Sequence, residues 1–547
     1  MNSLPPNRTT ILVIGGGPAG SYAASALKRE GHEVVLLEAA KFPRYHVGES
    51  MLPSMRNYLR FIGVEDDFTK HGFLNKPGAS FKLGPILLRW ELDTRLGMSH
   101  NFPVQIRSEM DELLLRHAEK QGVTVFEETR VESIEFEGDP ASSRPIAATW
   151  TNKNGTTGKT AFDWLIDATG RAGIMSTKYL ENREMRESLR NTAVWGYFTG
   201  VKRYGEGTKK ANSGWFEALT DETGWSWTIP LNDGTTSIGF VMHQSASNAK
   251  KATMMPDGTK PSLTEHYLDQ FQFVPGVREL VGDTGTMIPG STKSAADYSY
   301  WASRYSGDHF RIIGDAANFV DPFFSSGVHI AMTGALSAAL TICASIKAEI
   351  TEETAQEWHD AKVGIAHTRF LFVVLGAYQQ MHLQHQPILS DVNAENFDEA
   401  FKMFRPGSFE SPYSWPSYRA EWTSVIYGTA DSSKELTDTK VQDMMDTCQS
   451  FFDPYVDEEN VKAVRQRYGV DVITMESPVL GRQKIKTLVK DDVEGERVMN
   501  KFDALKVFSD DVEATYMGRH PLLGYIANVK QGELGLSKVE VGGHITM

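Results

Sequence analysis

The chain is poor in cysteine: two among 547 residues, Cys343 and Cys448, far apart. That excludes a disulfide framework, and no Cys/His spacing suits a zinc site. Both thiols are expected to be buried and reduced. Long hydrophobic runs are also missing. The densest, FLFVVLGAY (Phe370 to Tyr378), is about half of what a bilayer span needs and reads as a buried helix segment. Positive charge is in deficit: 56 Lys and Arg against 70 Asp and Glu leave a net −14, which argues against broad affinity for nucleic acid or anionic membrane. The leader MNSLPPNRT is polar and runs almost directly into ILVIGGG, so no secretory signal is expected and the reading is cytoplasmic. Repeats and low-complexity tracts are not evident, and 41% hydrophobic with 23% charged residues are globular values. A chain of this length implies two or three packed subdomains.

What is present begins at the N-terminus. TTILVIGGGPAGSYAASALKREGHEVVLLEA reads as a buried strand, a glycine turn, an amphipathic helix and a second strand ending at Glu38. Gly15, Gly17 and Gly20 form GxGxxG between strand and helix, with Glu38 eighteen positions after the last. Such glycines let backbone N–H groups approach a pyrophosphate, the helix N-terminus supplies positive potential, and the acid accepts from a ribose hydroxyl. The pattern predicts dinucleotide binding.

DWLIDATGRAG (Asp163 to Gly173) and HFRIIGDAANFVDPFFSSGVHIAMTGALSAAL (His309 to Leu340) each read as a strand entering a glycine turn, the second continuing into a small-residue helix. Both look like returns to the first sheet. Between about 175 and 300, TAVWGYFTG, GWSWTIPL and TTSIGFVMH predict an inserted mixed β-sheet. From about 351 to 547 the pattern is mainly helical, with SFESPYSWPSY (Ser408 to Tyr418) as an aromatic connection over the body. The runs DEEN and KDDVEGER read as solvated faces.

Together GGGPAG, YHVGESMLPS, DATGR and GDAANFVDP resemble the FAD-dependent monooxygenases of glutathione-reductase-like type, over roughly the first 340 residues. The resemblance implies an α/β FAD-binding module over 1–350, with the β insertion inside it and a helical, substrate-covering region after it. It implies FAD contacts at Gly15, Gly17, Ala19, Gly20, Glu38, Arg44, Ser50, Arg107, Asp315, Gly327 and Val328. Asp315 would meet the ribityl chain. DATGR stands where single-component hydroxylases carry a motif shared with NADPH, and no second GxGxxG has a strand-helix context, so a separate NAD(P)H-dependent reductase is expected to supply FADH2.

GWSWTIPL narrows the resemblance. Taken alone, Trp225 and Trp227 share a strand face and read as core. Downstream of an FAD fingerprint, Trp225, Trp227, Ile229 and Pro230 match the WxWxIP signature of flavin-dependent halogenases. That family keeps a lysine in a phrase like GAFK, which maps onto GASFK and Lys82, with Lys76 of LNKPG as the competing candidate. Its GES places Glu49 beside the flavin, and its chloride site maps onto Ser326 and Gly327 of DPFFSSG. The tryptophan halogenases have a glutamate two positions before that serine. Here stands Phe324, which argues against tryptophan and for a phenolic ring, free or carrier-tethered. The implied chemistry uses O2 and FADH2 to form a flavin hydroperoxide, which chloride or bromide attacks. Hypohalous acid then travels to Lys82, the tryptophans partitioning flavin from substrate. The alternatives are an aromatic hydroxylase using the hydroperoxide directly, a double-bond-saturating flavin reductase, or a carrier-docking flavoprotein. No substrate base stands out, and His329 is a candidate only by residue type.

Overall fold

The computed structural model describes residues 4–52, 54–76, 79–82, 87–88, 102–104, 106–186, 189–208, 211–255, 258–296, 299–382, 456–509 with short gaps, and 521–539. Its first sheet is built around β1 (Arg8–Ile14), whose run of Ile and Val is continuous because the strand is covered on both faces. Helix α1 (Pro18–Arg29) crosses over to β2 (Val34–Leu37), parallel to β1 on one side, while the Thr157–Asp167 strand lies parallel on the other. Thr124–Phe126 and Phe310–Ile312 extend the parallel core outward. Strand Pro145–Asn152 joins antiparallel to the start of Thr157–Asp167.

Helix α2 (Gly327–Ile346) packs on α1 through a core that includes Ala23, Ala26, Leu27, Ala335, Ala338 and Ala339. Small side chains let the two backbones approach closely. By length and hydropathy α2 could cross a membrane, yet 94% of its most apolar stretch is buried inside this fold. Among the described residues it, and not FLFVVLGAY, is the most apolar helix, its Ala, Gly, Ser and Thr content masking the run.

The second sheet contains β3 (Ala79–Lys82), β4 (Asn191–Thr199), β5 (Gly214–Ala218), β6 (Gly224–Pro230) and β7 (Thr236–His243), in the order β4-β7-β6-β5-β3. All neighbours are antiparallel except β5 and β3, whose parallel pairing makes the sheet mixed. Its edge therefore comes from residues well before 175, where the sequence placed the insertion. Residue parity divides the two faces. Phe81, Trp195, Phe216, Trp225, Trp227 and Val241 pack towards Phe323 and Phe324, whereas Trp215, Ile238, Phe240 and Met242 pack on Tyr267 from the other side.

Helix α3 (Glu352–His382) lies against α2, and its Leu371, Val374, Tyr378 and Met381 close the tryptophan face of the second sheet. Helices Glu458–Tyr468, Arg482–Val489 and Val493–Ser509 share a small core of their own around Val464, Ile485 and Val498. The described elements after 351 are mainly helices, with one hairpin among them. Tyr525–Asn528 and Gly535–Lys538 form a hairpin that returns to the first core through Leu522, Ala527, Leu534 and Leu536, and Lys347 Nζ donates to the Leu534 carbonyl at 2.9 Å. Cys343 is buried, and burial pushes its thiol up to about 12. Cys448 and SFESPYSWPSY lie outside the described residues.

Candidate active site

The three glycines of the first turn have different tasks. A Cβ on Gly15, at φ +106, would fall 2.2 Å from the Ala168 carbonyl oxygen, and one on Gly20 would fall 1.9 Å from that of Gly15. Those two let the turn pack on DATGR and on itself. A Cβ on Gly17 would meet only the Arg44 guanidinium, at 3.3 Å, so this glycine borders open space at the N-cap of α1. Glu38 closes the turn: its carboxylate accepts from Gly16 N and Ala40 N, both at 2.6 Å. Gly327, at the start of α2, has no atom within 4 Å of its would-be Cβ. The cradle fits a dinucleotide at both ends, bare glycine facing open space at each.

Arg107 is buried and committed to Asp111, with Nε to Oδ1 at 2.9 Å and Nη2 to Oδ2 at 3.1 Å, and its Nη1 donates to the Val47 carbonyl. Arg44 also reaches Asp111, at 3.1 Å, so it is Arg44 that borders the glycine turn, Arg107 standing behind it. The Arg107 charge, then burial, holds the His46 imidazole down at about 4. Burial lifts the Asp315 carboxyl to about 6 against the pull of Arg107, Arg171 and Arg183. Its carbonyl accepts from Tyr300 Oη, and Gly314 before it packs against Ala19. Asp167 of DATGR is structural: it accepts from Thr169 N, Thr169 Oγ1 and Met175 N.

DPFFSSG forms a short 3-10 turn ending at Ser325, in the left-handed region at φ +57, and then Ser326 as N-cap of α2. Ser326 is fully buried, and among the described residues its Oγ has no hydrogen-bond partner. Val328 follows, nearly buried. The first N–H groups of a helix have no intrahelical acceptor, so an orphan hydroxyl among them makes an anion pocket. Phe324 packs on Phe81 and Phe323.

Trp225 and Trp227 are both buried on the face towards this turn, their rings 5.9 Å apart, and Trp225 meets Phe323 edge-on at 5.0 Å. Ile229 and Pro230 are buried in the same strand. Gly239 opposite Trp227 exists because a Cβ there would strike the indole at 2.2 Å. Trp227 Nε1 donates to Ser237 Oγ.

Residues 8–361 match the family model described as an FAD binding domain. Over 97% of this chain and 98% of the relative, the sequence is 50% identical to flavin-dependent halogenase armH5 of Armillaria mellea. The chain belongs to the flavin-dependent halogenases. Sulochrin halogenase gedL of Aspergillus terreus is 48% identical over 73% of this chain and 75% of its own. The solved structure of the myxobacterial chondrochloren halogenase CndH superposes with a TM-score of 0.61 at 26% identity, over 81% of this chain and 97% of that one.

In this halogenase the two candidate lysines have opposite fates. Lys82 sits across from Glu217 in the β3/β5 register, and its Nζ meets Glu217 Oε1 at 2.9 Å. Glu217 also accepts from Gly276 N, Val277 N and Trp215 Nε1, all on the face away from the tryptophan pair. Phe81, stacked on Phe216, takes the inward direction instead. The expected role of Lys82 is therefore corrected: strand parity turns it away from the site, into a structural ion pair. Lys76 Nζ donates to Ser50 Oγ at 2.6 Å, and Ser325 Oγ donates to the same hydroxyl at 2.8 Å. Burial lowers the Lys76 ammonium to about 8. Glu49 accepts from Tyr197 Oη at 2.8 Å, and burial raises its carboxyl. His329 is buried and held by Ser54 Oγ at 2.8 Å, a packed position between Tyr58 and Phe370.

Motif reading missed a buried knot behind the turn. Tyr378 Oη donates to Asp321 Oδ2 at 2.9 Å and accepts from Asn191 Nδ2 and Trp225 Nε1, each at 2.8 Å, while Asp321 Oδ1 accepts from Phe323 N. Asn191 reaches Asp321 too, and burial lifts that carboxyl to about 6. One phenol thus ties the WxWxIP strand to the DPFFSSG turn. Tyr378→Phe should cost about 1–3 kcal/mol, because it strands buried partners. Thermal unfolding reads that loss, and the KM for halide should rise more than kcat falls.

Proposed function

We propose that this halogenase chlorinates an electron-rich phenolic ring, with bromide as a competing halide and FADH2 delivered by a separate NAD(P)H-dependent reductase. The observation that carries the reading is a half-buried lysine beside the SSG turn: Lys76, Ser50 and Ser325 share one hydrogen-bond cluster next to the unpartnered Ser326 hydroxyl.

The cradle of Gly15, Gly17, Ala19, Gly20, Glu38 and Arg44 would hold the dinucleotide part of FAD, with Arg107 and Asp315 further along and Gly327 and Val328 at the far end. When bound, the reduced flavin supplies, with O2, the two-electron oxidation that turns chloride into an electrophile. Ser326 Oγ and the first N–H groups of α2 hold the halide. Trp225 and Trp227, packed with Phe323, wall the aromatic substrate from that oxidant, so hypochlorous acid and not the ring is the first product. Lys76 receives the chlorine and passes it on. Phe324 supplies no carboxylate, which suits a ring that its own hydroxyl activates.

Incubation of the protein with FAD, a flavin reductase, chloride and a panel of free phenols, read by mass spectrometry, should give products with a chlorine isotope pattern. Halide-independent insertion of oxygen would replace this reading with an aromatic hydroxylase, and chlorination only of carrier-bound phenols would move the substrate to its tethered form.

A further inference from the structure

Glu49 stands at the inner end of a hydrogen-bonded line. Tyr197 Oη donates to Glu49 Oε1 at 2.8 Å, Tyr45 Oη lies 2.9 Å from Tyr197 Oη, and Trp195 Nε1 donates to Tyr45 Oη at 2.7 Å. A phenol has one proton. Since Tyr197 spends its own on Glu49, the middle contact has Tyr45 as donor, and Trp195 fixes one side of the Tyr45 oxygen. Every O–H in the line points inward. The outer end is open, Tyr45 being 50% exposed, and the inner end is sealed, Glu49 being 3% exposed. Glu49 adjoins Ser50, the hydroxyl shared by Lys76 and Ser325.

We propose that Tyr45 and Tyr197 form a proton inlet that recharges Glu49 from solvent during halide oxidation. The proposal rests on the halogenation reading, because that chemistry takes up a proton: FADH2 + O2 + Cl− + H+ gives FAD + HOCl + H2O. Chlorination of the ring, ArH + HOCl giving ArCl + H2O, returns none. A site walled by tryptophan and phenylalanine needs a route for that proton. In one relay step a hydronium ion in the solvent gives a proton to Tyr45 Oη and is left as water, Tyr45 passes its proton to Tyr197 Oη, and Tyr197 passes its own to Glu49 Oε1. Neither phenol ionises. Among the described residues, the charged and titratable groups around the line are Arg107, whose charge acts on Glu49, Lys293 with Nζ 4.7 Å from the centre of the Tyr45 ring, and His46 two residues before Gly48.

Tyr45→Phe tests the line because Tyr45 does not touch Glu49. Halogenation should slow by at least about 10-fold with a larger solvent deuterium isotope effect, and imidazole buffer should restore the rate by donating protons directly. FAD-free protein with 13C-labelled glutamate gives a second readout. The infrared carboxylic acid band that disappears in Glu49→Gln should appear more slowly after a downward pH jump in Tyr45→Phe than in the unaltered protein, and reach the same final height. An unchanged infrared rate, or a slowed reaction that imidazole does not restore, overturns the inlet. If the protein instead inserts oxygen without halide, the halogenation reading falls while the infrared experiment still decides whether the line conducts.

Discussion

Lys76→Met should lower halogenation by at least about 100-fold while Lys82→Met stays within a few-fold of the unaltered protein. Methionine keeps the unbranched stem and removes the amine. At Lys76 the amine is buried next to Ser50, and burial alone brings its ammonium down to about 8. The neutral form attacks the chlorine of hypochlorous acid: RNH2 + HOCl gives RNHCl + H2O, and RNHCl + ArH then gives RNH2 + ArCl. The pH dependence follows from the lowered value. Neutral amine is roughly a tenth of the total at pH 7 and roughly nine-tenths at pH 9, so chlorinated product per flavin oxidised should rise through pH 8 and level off above it. Lys82→Met should lower the unfolding temperature instead, since buried Glu217 loses one of its four donors. Equal loss of activity in the two variants would remove the assignment.

The contrast between these lysines shows what the sequence carried. Motifs whose parts are adjacent in the chain, GGGPAG and SSG, sit in the structure with the geometry their spacing implied, because a turn and the helix it opens are fixed locally. The two indoles of GWSW share a face for the same reason, since a strand alternates with period two. Lys82 was misread by one residue of parity. In ASFK either Phe81 or Lys82 faces inward, and the decision lies in β5, where Phe216 stacks on one and Glu217 pairs with the other. Glu217 is 135 residues away, and nothing local announces it. Tyr378 was invisible for a similar reason: inside FLFVVLGAY it reads as one more apolar position, and its three partners come from three other segments. The closing hairpin at 525–538 was hidden in a region whose other described elements are helices, its contacts being with the first core.

Gly17→Val should abolish FAD binding and leave the FAD-free fold nearly as stable as before. The three glycines of the turn look interchangeable in the sequence and are not. Gly15 takes φ +106 and touches the Ala168 carbonyl, and Gly20 touches the Gly15 carbonyl, so a side chain at either collides with backbone that has nowhere to go. Gly17 has φ −68 and ψ −176, a conformation open to any residue, and its would-be Cβ meets only the end of the Arg44 side chain, which can move. The space a valine would fill there is the space the pyrophosphate needs against the N-terminus of α1. With FAD at 100 times its dissociation constant, binding adds about 2.7 kcal/mol to the folded state. A 100-fold weaker site would reduce that to about 0.4 kcal/mol. Thermal unfolding with and without FAD separates the cases: Gly17→Val should keep the FAD-free transition and lose the FAD-dependent shift, whereas Gly20→Val should lose the transition itself. A Gly17→Val protein whose unfolding still shifts with FAD would mean that the dinucleotide does not lie on this turn.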